Sequence, residues 1–177
     1  MAVNFHVEII PASLLSAHDY QAVVDLCSRA FDEDYEPYLH TFLDATHLLG
    51  KVDGVLVSHA LWITRWLQIG DAPLLKTAYV EGVATDENHR GRGYATVLME
   101  HLVHEIQDYD IGGLCPADTN LYARLGWEFW QGLLFHRKDE QLILDPEEEL
   151  MILRLPKTLE IDTHQPISIE WRAGEVW

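Results

Sequence analysis

The chain has 177 residues, with 29 acidic against 12 basic side chains and a formal net charge of −17. This balance argues against nucleic acid as a partner, because binding a phosphate backbone requires a basic surface. The length suits a single domain over residues 1–177, and no apolar run is long enough to cross a bilayer. The N-terminus lacks a basic segment followed by a long apolar stretch, so no signal peptide is predicted.

Cysteine and histidine patterns give no metal signal. Cys27 and Cys115 share no metal-ligand spacing, and we interpret them as reduced thiols of a cytoplasmic protein. His101 and His104 can share a helix face, but no carboxylate or third ligand is paired with them. We therefore expect neither a structural nor a catalytic metal.

The acidic surplus has two interpretations. It can be a solubilising surface, or it can mark a cleft that attracts a polycationic ligand. Composition alone favours the first interpretation, because net charge says little about any one site.

Hydrophobic periodicity and turn signals divide the chain into elements. The predicted order is strand 5–10, helix Ala17–Phe31, acidic loop 32–37, short helix 39–43, hairpin 47–69, strand 74–84, helix 94–107, strand 111–115, short helix 120–125, strand 128–136, polar connection 137–145, strand 150–155 and strand 167–171. Ser13 or Ser16 can cap the first helix, and the Asp53-Gly54 pair indicates the hairpin turn. Strands and helices alternate only in the middle, which predicts a mixed α+β (α/β) fold rather than a regular βαβ series.

Residues 79–95 read YVEGVATDENHRGRGYA and combine a strand, a Gly/Arg turn and the start of a helix. Such a turn exposes backbone N–H groups, and the helix start adds the positive end of its dipole. The segment lacks both the P-loop and the GxGxxG patterns. Arg90-x-x-Gly93-x-Ala95 can nevertheless hold a pyrophosphate, which suits coenzyme A.

Two side chains are candidates for acid–base chemistry. Acetyl transfer to an amine needs a base, because an alkylammonium is not a nucleophile, and an acid to protonate the leaving thiolate. Glu81, on the strand that leads into the turn, is the candidate base, directly or through water. Tyr122, on the short helix after the next strand, is the candidate acid. The structural alternatives are a surface strand acid for Glu81 and a core tyrosine for Tyr122.

Together with Leu121-Tyr122-x-x-x-Gly126-Trp127, the Gly/Arg turn resembles the GNAT superfamily of N-acetyltransferases. The resemblance implies a central splayed mixed β-sheet flanked by helices, with acetyl-CoA in the notch between the fourth and fifth strands. It makes Tyr122 the acid. The cofactor-binding residues it implies are Val83 and Thr85, for the pantetheine arm, and Arg90, Gly91, Arg92, Gly93, Tyr94 and Ala95, for the pyrophosphate.

The segment 79–84 and the tail WRAGEVW (Trp171–Trp177) are similar to the aminoglycoside 2'-N-acetyltransferases. This resemblance implies acetylation of an aminoglycoside by direct attack, without a covalent enzyme intermediate, and hence antibiotic resistance. It also implies a homodimer. The carboxylates implied to bind the cationic substrate are those of Asp34, Glu81, Glu148, Glu175 and the C-terminal residue Trp177.

The chain departs from that family at several acids. Leu39 stands where the family has a second loop carboxylate, and Glu175 replaces an aspartate. The substrate is therefore left open between a large deoxystreptamine drug and a smaller aminoglycoside such as kasugamycin. The alternatives are a GNAT enzyme for another small amine, such as a polyamine, and a non-catalytic acyl-CoA-binding module. The tail motif does not fit a polyamine enzyme, and Glu81 and Tyr122 count against a binding module.

Overall fold

A computed structural model of the chain describes residues 4–174 and 176–177. Its α-helices are α1 (Ala17–Phe31), α2 (Glu36–Leu39), α3 (Tyr94–Glu105) and α4 (Thr119–Arg124). Its strands are β1 (Phe5–Pro11), β2 (Thr46–Val52), β3 (Val55–Ile69), β4 (Leu75–Thr85), β5 (Ile111–Leu114), β6 (Glu128–Phe129), β7 (Leu134–Lys138), β8 (Gln141–Leu144), β9 (Met151–Arg154) and β10 (Ile167–Glu170). Within the described residues, the helices are too short or too polar to cross a membrane.

The chain groups into two compact units, and β3 and β4 each contribute residues to both. The first unit comprises the described residues of Met1–Ile63 and Val80–Glu105. The second comprises those of Thr64–Tyr79 and Ile106–Trp177. A single functional domain over residues 1–177 stays a prediction.

The first unit is built on the strand order β1-β2-β3-β4. β1 pairs antiparallel with β2, and β2 pairs antiparallel with β3. Asp53 and Gly54 join β2 to β3 with positive φ angles of 49° and 84°. A two-residue turn with both φ angles positive matches the right-handed twist of paired strands, so the predicted hairpin is confirmed.

Helix α1 begins and ends at residues suited to those positions. The Ser16 hydroxyl oxygen accepts a hydrogen bond from the Asp19 N–H at 3.0 Å, which satisfies a donor that has no partner within the helix. Asp32 ends the helix in the left-handed conformation, with φ 57°. The apolar face of α1 buries Val23, Val24, Leu26 and Cys27. The helix predicted over Ala17–Phe31 is therefore confirmed, with Ser16 as its cap.

The second unit has the strand order β6-β9-β5-β4-β3-β10-β7-β8. β5 pairs parallel with β4 over Thr77–Tyr79 and antiparallel with β9. β10 pairs parallel with β7 and antiparallel with β3. Parallel and antiparallel pairs thus occur together, which confirms the mixed sheet that the resemblance to the GNAT superfamily implies.

The strand predicted over residues 128–136 is wrong, because the chain leaves the extended ladder between β6 and β7. The N–H groups of Gln131 and Gly132 both donate to the Thr163 carbonyl at 2.9 Å. The Trp130 indole donates to the Gln165 carbonyl at 2.8 Å. A carbonyl more than thirty positions along the chain therefore interrupts the strand.

Two other predicted elements are corrected. Residues 137–145 are not a plain polar connection, because β8 folds back on β7 as a hairpin through Asp139 and Glu140, both with positive φ. The short helix lies at Glu36–Leu39 instead of residues 39–43, with Pro37 in its first turn. Proline has no N–H to lose there, and its fixed φ suits a helix start.

Candidate active site

The Gly/Arg turn follows β4 and leads directly into α3. Gly91 and Gly93 have φ angles of 73° and 81°, and a Cβ on either would meet nothing within 4 Å. The Gly93 carbonyl accepts from the Val97 N–H at 3.0 Å and so begins the helical hydrogen bonding. The first amides of α3 therefore have no partner within the helix and point out of its positive end. The turn is an open backbone cradle suited to a phosphate.

The two arginines of the turn bond to the segment before it. Arg90 Nε donates to the Thr85 carbonyl at 3.2 Å, and Arg92 Nη2 donates to the Asn88 carbonyl at 3.0 Å. Both arginines are exposed. The bonds hold both guanidinium groups against the segment that leads into the turn.

Tyr94 and Ala95 open α3, and both are half-buried. The Tyr94 ring stacks on Phe5 with centroids 4.3 Å apart and planes 13° from parallel. The Tyr94 side chain is thus part of the packing between α3 and β1. Tyr94 can therefore contact a phosphate through its backbone N–H.

Glu81, Val83 and Thr85 lie at alternate positions of β4 and are half-buried, whereas Gly82 and Ala84 between them are buried. Val83 and Thr85 therefore share one partly exposed side of the strand, whereas Gly82 separates Glu81 from them. Gly82 has φ 59°, a departure from extended backbone that is typical of a bulge. A side chain at position 82 would also come within 3.0 Å of the Tyr35 hydroxyl. The Tyr35 side chain, next to Asp34 in the chain, therefore reaches the backbone beside Glu81.

Asp34 itself is exposed, and its carboxylate accepts from the Glu36 N–H at 3.2 Å. That bond supports the start of α2. The remaining oxygen positions of a carboxylate can still accept hydrogen bonds from a cationic ligand.

A buried histidine pair lies against β4, and the sequence pattern did not single it out. His59 Nδ1 is 2.7 Å from the Gly82 carbonyl oxygen, and His59 Nε2 is 3.0 Å from His47 Nδ1. Both imidazoles are buried, and Cys27 Sγ lies 3.6 Å from His59 Nδ1. Burial lowers the pKa of His47 to about 4, and burial together with His47 lowers the pKa of His59 to about 3. Both rings are therefore neutral near neutral pH.

Lowering the pH is expected to destabilise the protein through this histidine pair. In the unfolded chain both imidazoles take up a proton below their ordinary pKa near 6.5, whereas the folded protein resists protonation until about 4 and about 3. The unfolded state then binds more protons, so stability is fully present above pH 6.5 and is lost progressively as the pH falls from there. Thermal unfolding between about pH 5 and pH 8 measures this, and His47→Gln should flatten the dependence. A melting temperature that is constant over this range would contradict it.

In the second unit, Tyr122 lies on α4. The Asp118 carboxylate caps this helix by accepting from the N–H groups of Asn120 and Leu121 at 3.1 and 3.3 Å. Tyr122 is buried, and its ring meets Trp127 edge-on with centroids 6.2 Å apart. Burial first, and then the negative charges of Asp118 and Cys115, raise the pKa of Tyr122 to about 12. Its hydroxyl is therefore a proton donor at every physiological pH.

Glu148 and Trp177 come together around Asp145. The Asp145 carbonyl accepts from the Glu148 N–H at 3.4 Å. The Asp145 carboxylate accepts from the Trp177 indole N–H at 2.7 Å and lies 2.8 Å from His136 Nδ1. The Glu148 carboxylate is exposed and lies 3.9 Å from Cys115 Sγ.

The C-terminal tail is anchored at its last two residues. Trp177 is buried, and Arg65 Nη1 donates to the Val176 carbonyl at 3.0 Å. Arg65 is itself buried and paired with Glu170 at 2.7 Å. Glu175, predicted to bind substrate, lies outside the described residues. Sequence reasoning singled out the tail but missed Arg65 and Asp145, which lie 112 and 32 positions before Trp177.

Comparisons with known proteins identify the family. A family model described as an acetyltransferase (GNAT) domain matches residues 12–130. An aminoglycoside 2'-N-acetyltransferase of Mycolicibacterium fortuitum is 32% identical over 162 residues, covering 84% of this chain and 80% of that protein. The chain therefore belongs to the GNAT family of acetyl-CoA-dependent N-acetyltransferases, as the turn and Tyr122 motifs predicted.

Solved structures agree on the fold. The GNAT family N-acetyltransferase YhbS of Escherichia coli, in complex with CoA, matches with a TM-score of 0.69 and 19% identity over 97% of this chain and 92% of that one. A GCN5-related N-acetyltransferase of Kribbella flavida matches with a TM-score of 0.61 and 22% identity, and the match covers 74% of this chain. This chain spans about a third (34%) of the length of the Kribbella structure. The predicted GNAT fold is confirmed.

Proposed function

We propose that the protein acetylates an amino group of an aminoglycoside, as a 2'-N-acetyltransferase. The observation that carries the proposal is the similarity to the Mycolicibacterium fortuitum enzyme of that name, which extends over 84% of this chain. The net charge of −17 supports a cationic substrate, because an acidic surface attracts it over a distance limited by salt. Acetylation of an antibiotic in this way confers resistance.

The residues of the Gly/Arg turn fit coenzyme A. Gly91 and Gly93 leave the backbone open where a Cβ would project, so a pyrophosphate can approach the amides of residues 91–95 closely. Arg90 and Arg92 add positive charge beside these amides. The backbone of Val83 and Thr85 receives the pantetheine arm. Bound acetyl-CoA supplies an activated acetyl thioester.

Glu81 and Tyr122 are given the two proton-transfer roles. Glu81 takes a proton from the substrate ammonium, directly or through water, so that the neutral amine attacks the acetyl group without a covalent enzyme intermediate. The Tyr122 hydroxyl donates its proton to the departing thiolate. With its pKa raised to about 12, the phenol carries the proton to be donated throughout the working pH range.

The substrate carboxylates are those of Asp34, Glu81, Glu148, Glu175 and the C-terminal Trp177. Asp34 and Glu148 are exposed, which supports a role for both in binding a cation from solution. The anchored tail supports a fixed position for the last residue. The aminoglycoside is either of the deoxystreptamine type or smaller, such as kasugamycin. A homodimer and a cytoplasmic location remain predictions.

A thiol-release assay with acetyl-CoA tests the proposal against a panel of amines. The panel contains kasugamycin, a gentamicin-type drug and spermidine. We expect CoA release with at least one aminoglycoside and a product acetylated at the 2'-amino group, identified by NMR. Turnover of spermidine alone would show that the protein acetylates polyamines and not aminoglycosides. CoA binding without turnover of any amine would favour a binding module.

Deleting Trp177 is expected to raise KM for the amine while KM for acetyl-CoA stays near its original value. The deletion removes the proposed C-terminal carboxylate from its place and takes away the indole that bonds to Asp145. Trp177→Phe is the matched control, because it keeps the terminal carboxylate and a ring and loses one hydrogen bond, worth about 1 kcal/mol net. Steady-state kinetics and thermal unfolding of both variants measure the effect. An unchanged amine KM after the deletion removes the tail from substrate binding.

A further inference from the structure

The hydrogen bonds of the buried histidine pair run in one direction, toward β4. A carbonyl oxygen only accepts, so His59 Nδ1 carries the hydrogen donated to Gly82. Neutral His59 then has no hydrogen on Nε2, and His47 Nδ1 must donate to it. His47 therefore fixes the tautomer of His59, and His59 fixes the Gly82 carbonyl.

Ser58, the neighbour of His59 in β3, makes the corresponding contact two residues further along β4. Its hydroxyl donates to the Ala84 carbonyl at 3.1 Å and lies 2.9 Å from the Thr85 hydroxyl. Because the Ser58 hydrogen goes to Ala84, the Thr85 hydroxyl donates to Ser58. The next contact, directly after β4, is a backbone hydrogen bond, in which the Asp86 N–H donates to the Val57 carbonyl at 2.9 Å.

Because the peptide group is planar, a contact that fixes a carbonyl also fixes the N–H of the next residue, on the opposite side of the strand. A trans peptide holds its C=O and the following N–H in one plane, pointing in opposite directions. The Gly82 carbonyl points at His59, so the Val83 N–H points away from His59. In the same way, the Ala84 carbonyl points at Ser58, and the Thr85 N–H points away from Ser58.

We propose that His59 and Ser58 are positioning residues for the acyl donor, which orient the Val83 and Thr85 amides through the Gly82 and Ala84 carbonyls, and that His47 locks His59 in the donating tautomer. The inference rests on the proposed binding of the pantetheine arm by this part of β4. It assigns a task to a buried Ser-His-His group that has no proton-transfer role in the proposed reaction. Gly82 contributes to the same arrangement, because its φ of 59° lets its carbonyl turn toward His59.

Amide NMR of 15N-labelled protein titrated with CoA tests the proposal without any amine substrate. In the unsubstituted protein, CoA should shift the amides of Val83 and Thr85 together with those of Gly91–Ala95. In His59→Leu, the Val83 response should be lost while the Gly91–Ala95 response persists. His59→Asn should restore it, because the asparagine Nδ2 can donate from nearly the same place as His59 Nδ1. An equal Val83 response in all three proteins overturns the inference.

Kinetics and a second variant complete the test. With whichever amine turns over, His59→Leu should lower kcat/KM for acetyl-CoA by about 100-fold, the scale of an ångström-sized misplacement. Val23→Ala, a core change in α1, controls for lost stability and should leave kcat/KM unchanged at temperatures where it is folded. If His59→Leu does not fold, Ser58→Ala carries the test through a selective loss of the Thr85 response. A missing response at Gly91–Ala95 in the unsubstituted protein would instead break the proposed cofactor site.

Discussion

Replacing Tyr122 by phenylalanine is expected to lower kcat by about 100- to 10,000-fold, the range over which general acids contribute. The ring packs in a buried position against Trp127, so phenylalanine keeps the shape and removes only the proton donor. The thiolate must then leave without a proton. CoA should bind with nearly the original Kd, because the Gly/Arg turn is untouched. Thiol-release kinetics and calorimetric titration with CoA measure the two quantities separately.

Tyr109→Phe provides the matched control for this change. The Tyr109 hydroxyl lies 2.9 Å from the Thr64 hydroxyl and has no part in the proposed site, so turnover should not change.

The pH–rate profile of the unsubstituted enzyme adds a check on the role of Tyr122. Because the phenol of Tyr122 keeps its proton up to a pKa of about 12, no basic limb due to Tyr122 is expected below its ordinary value of 10. A limb well below 10 that disappears in Tyr122→Phe would show that the phenol titrates more easily than its burial implies. Unchanged turnover in Tyr122→Phe would remove Tyr122 from the mechanism.

Replacing Glu81 by glutamine is expected to cause a loss of kcat/KM of similar size near neutral pH, about 100- to 10,000-fold. Glutamine has nearly the same shape, so the packing around Gly82 should survive. The amine substrate is mostly protonated at neutral pH and needs the carboxylate to take its proton. As the pH rises toward the pKa of the amine, more of the substrate is already neutral. The deficit of the variant should therefore shrink with rising pH.

Glu87→Gln removes the same charge from the same stretch of chain and is the control. Glu87 is exposed in the short turn after β4, and we give it no role in the reaction. A Glu81→Gln deficit that stays constant with pH, or a Glu87→Gln deficit of equal size, would point to lost substrate attraction instead of lost base catalysis.

Local chemistry made the first unit largely predictable. The Ser16 cap, the Asp53-Gly54 turn and the Gly/Arg turn each depend on residues within a few positions of one another. Their outcomes are set by hydrogen bonds and φ angles that a short stretch of sequence determines. The candidate cofactor residues could be proposed from the sequence for the same reason, since residues 91–95 are consecutive.

Features that depend on distant parts of the chain were not predictable. The break between β6 and β7 requires the Thr163 carbonyl, and the tail requires Arg65 and Asp145. His59 was passed over because Ser58-His59 has no nucleophile pattern around it. Its contact becomes visible only once the register of β3 brings it to Gly82. Strand register is fixed by the packing of whole faces, which no single motif reports.

Because the Gly/Arg turn is exposed, its cleavage by trypsin can show whether a ligand occupies the proposed cofactor site. Trypsin cleaves after arginine where the chain is accessible, and Arg90 and Arg92 are each followed by a glycine on an open surface. A ligand seated on these amides would cover the same two bonds. Protection of the Arg90–Gly91 and Arg92–Gly93 bonds from limited digestion would therefore reveal binding of a nucleotide, in a crude extract as well as with purified protein.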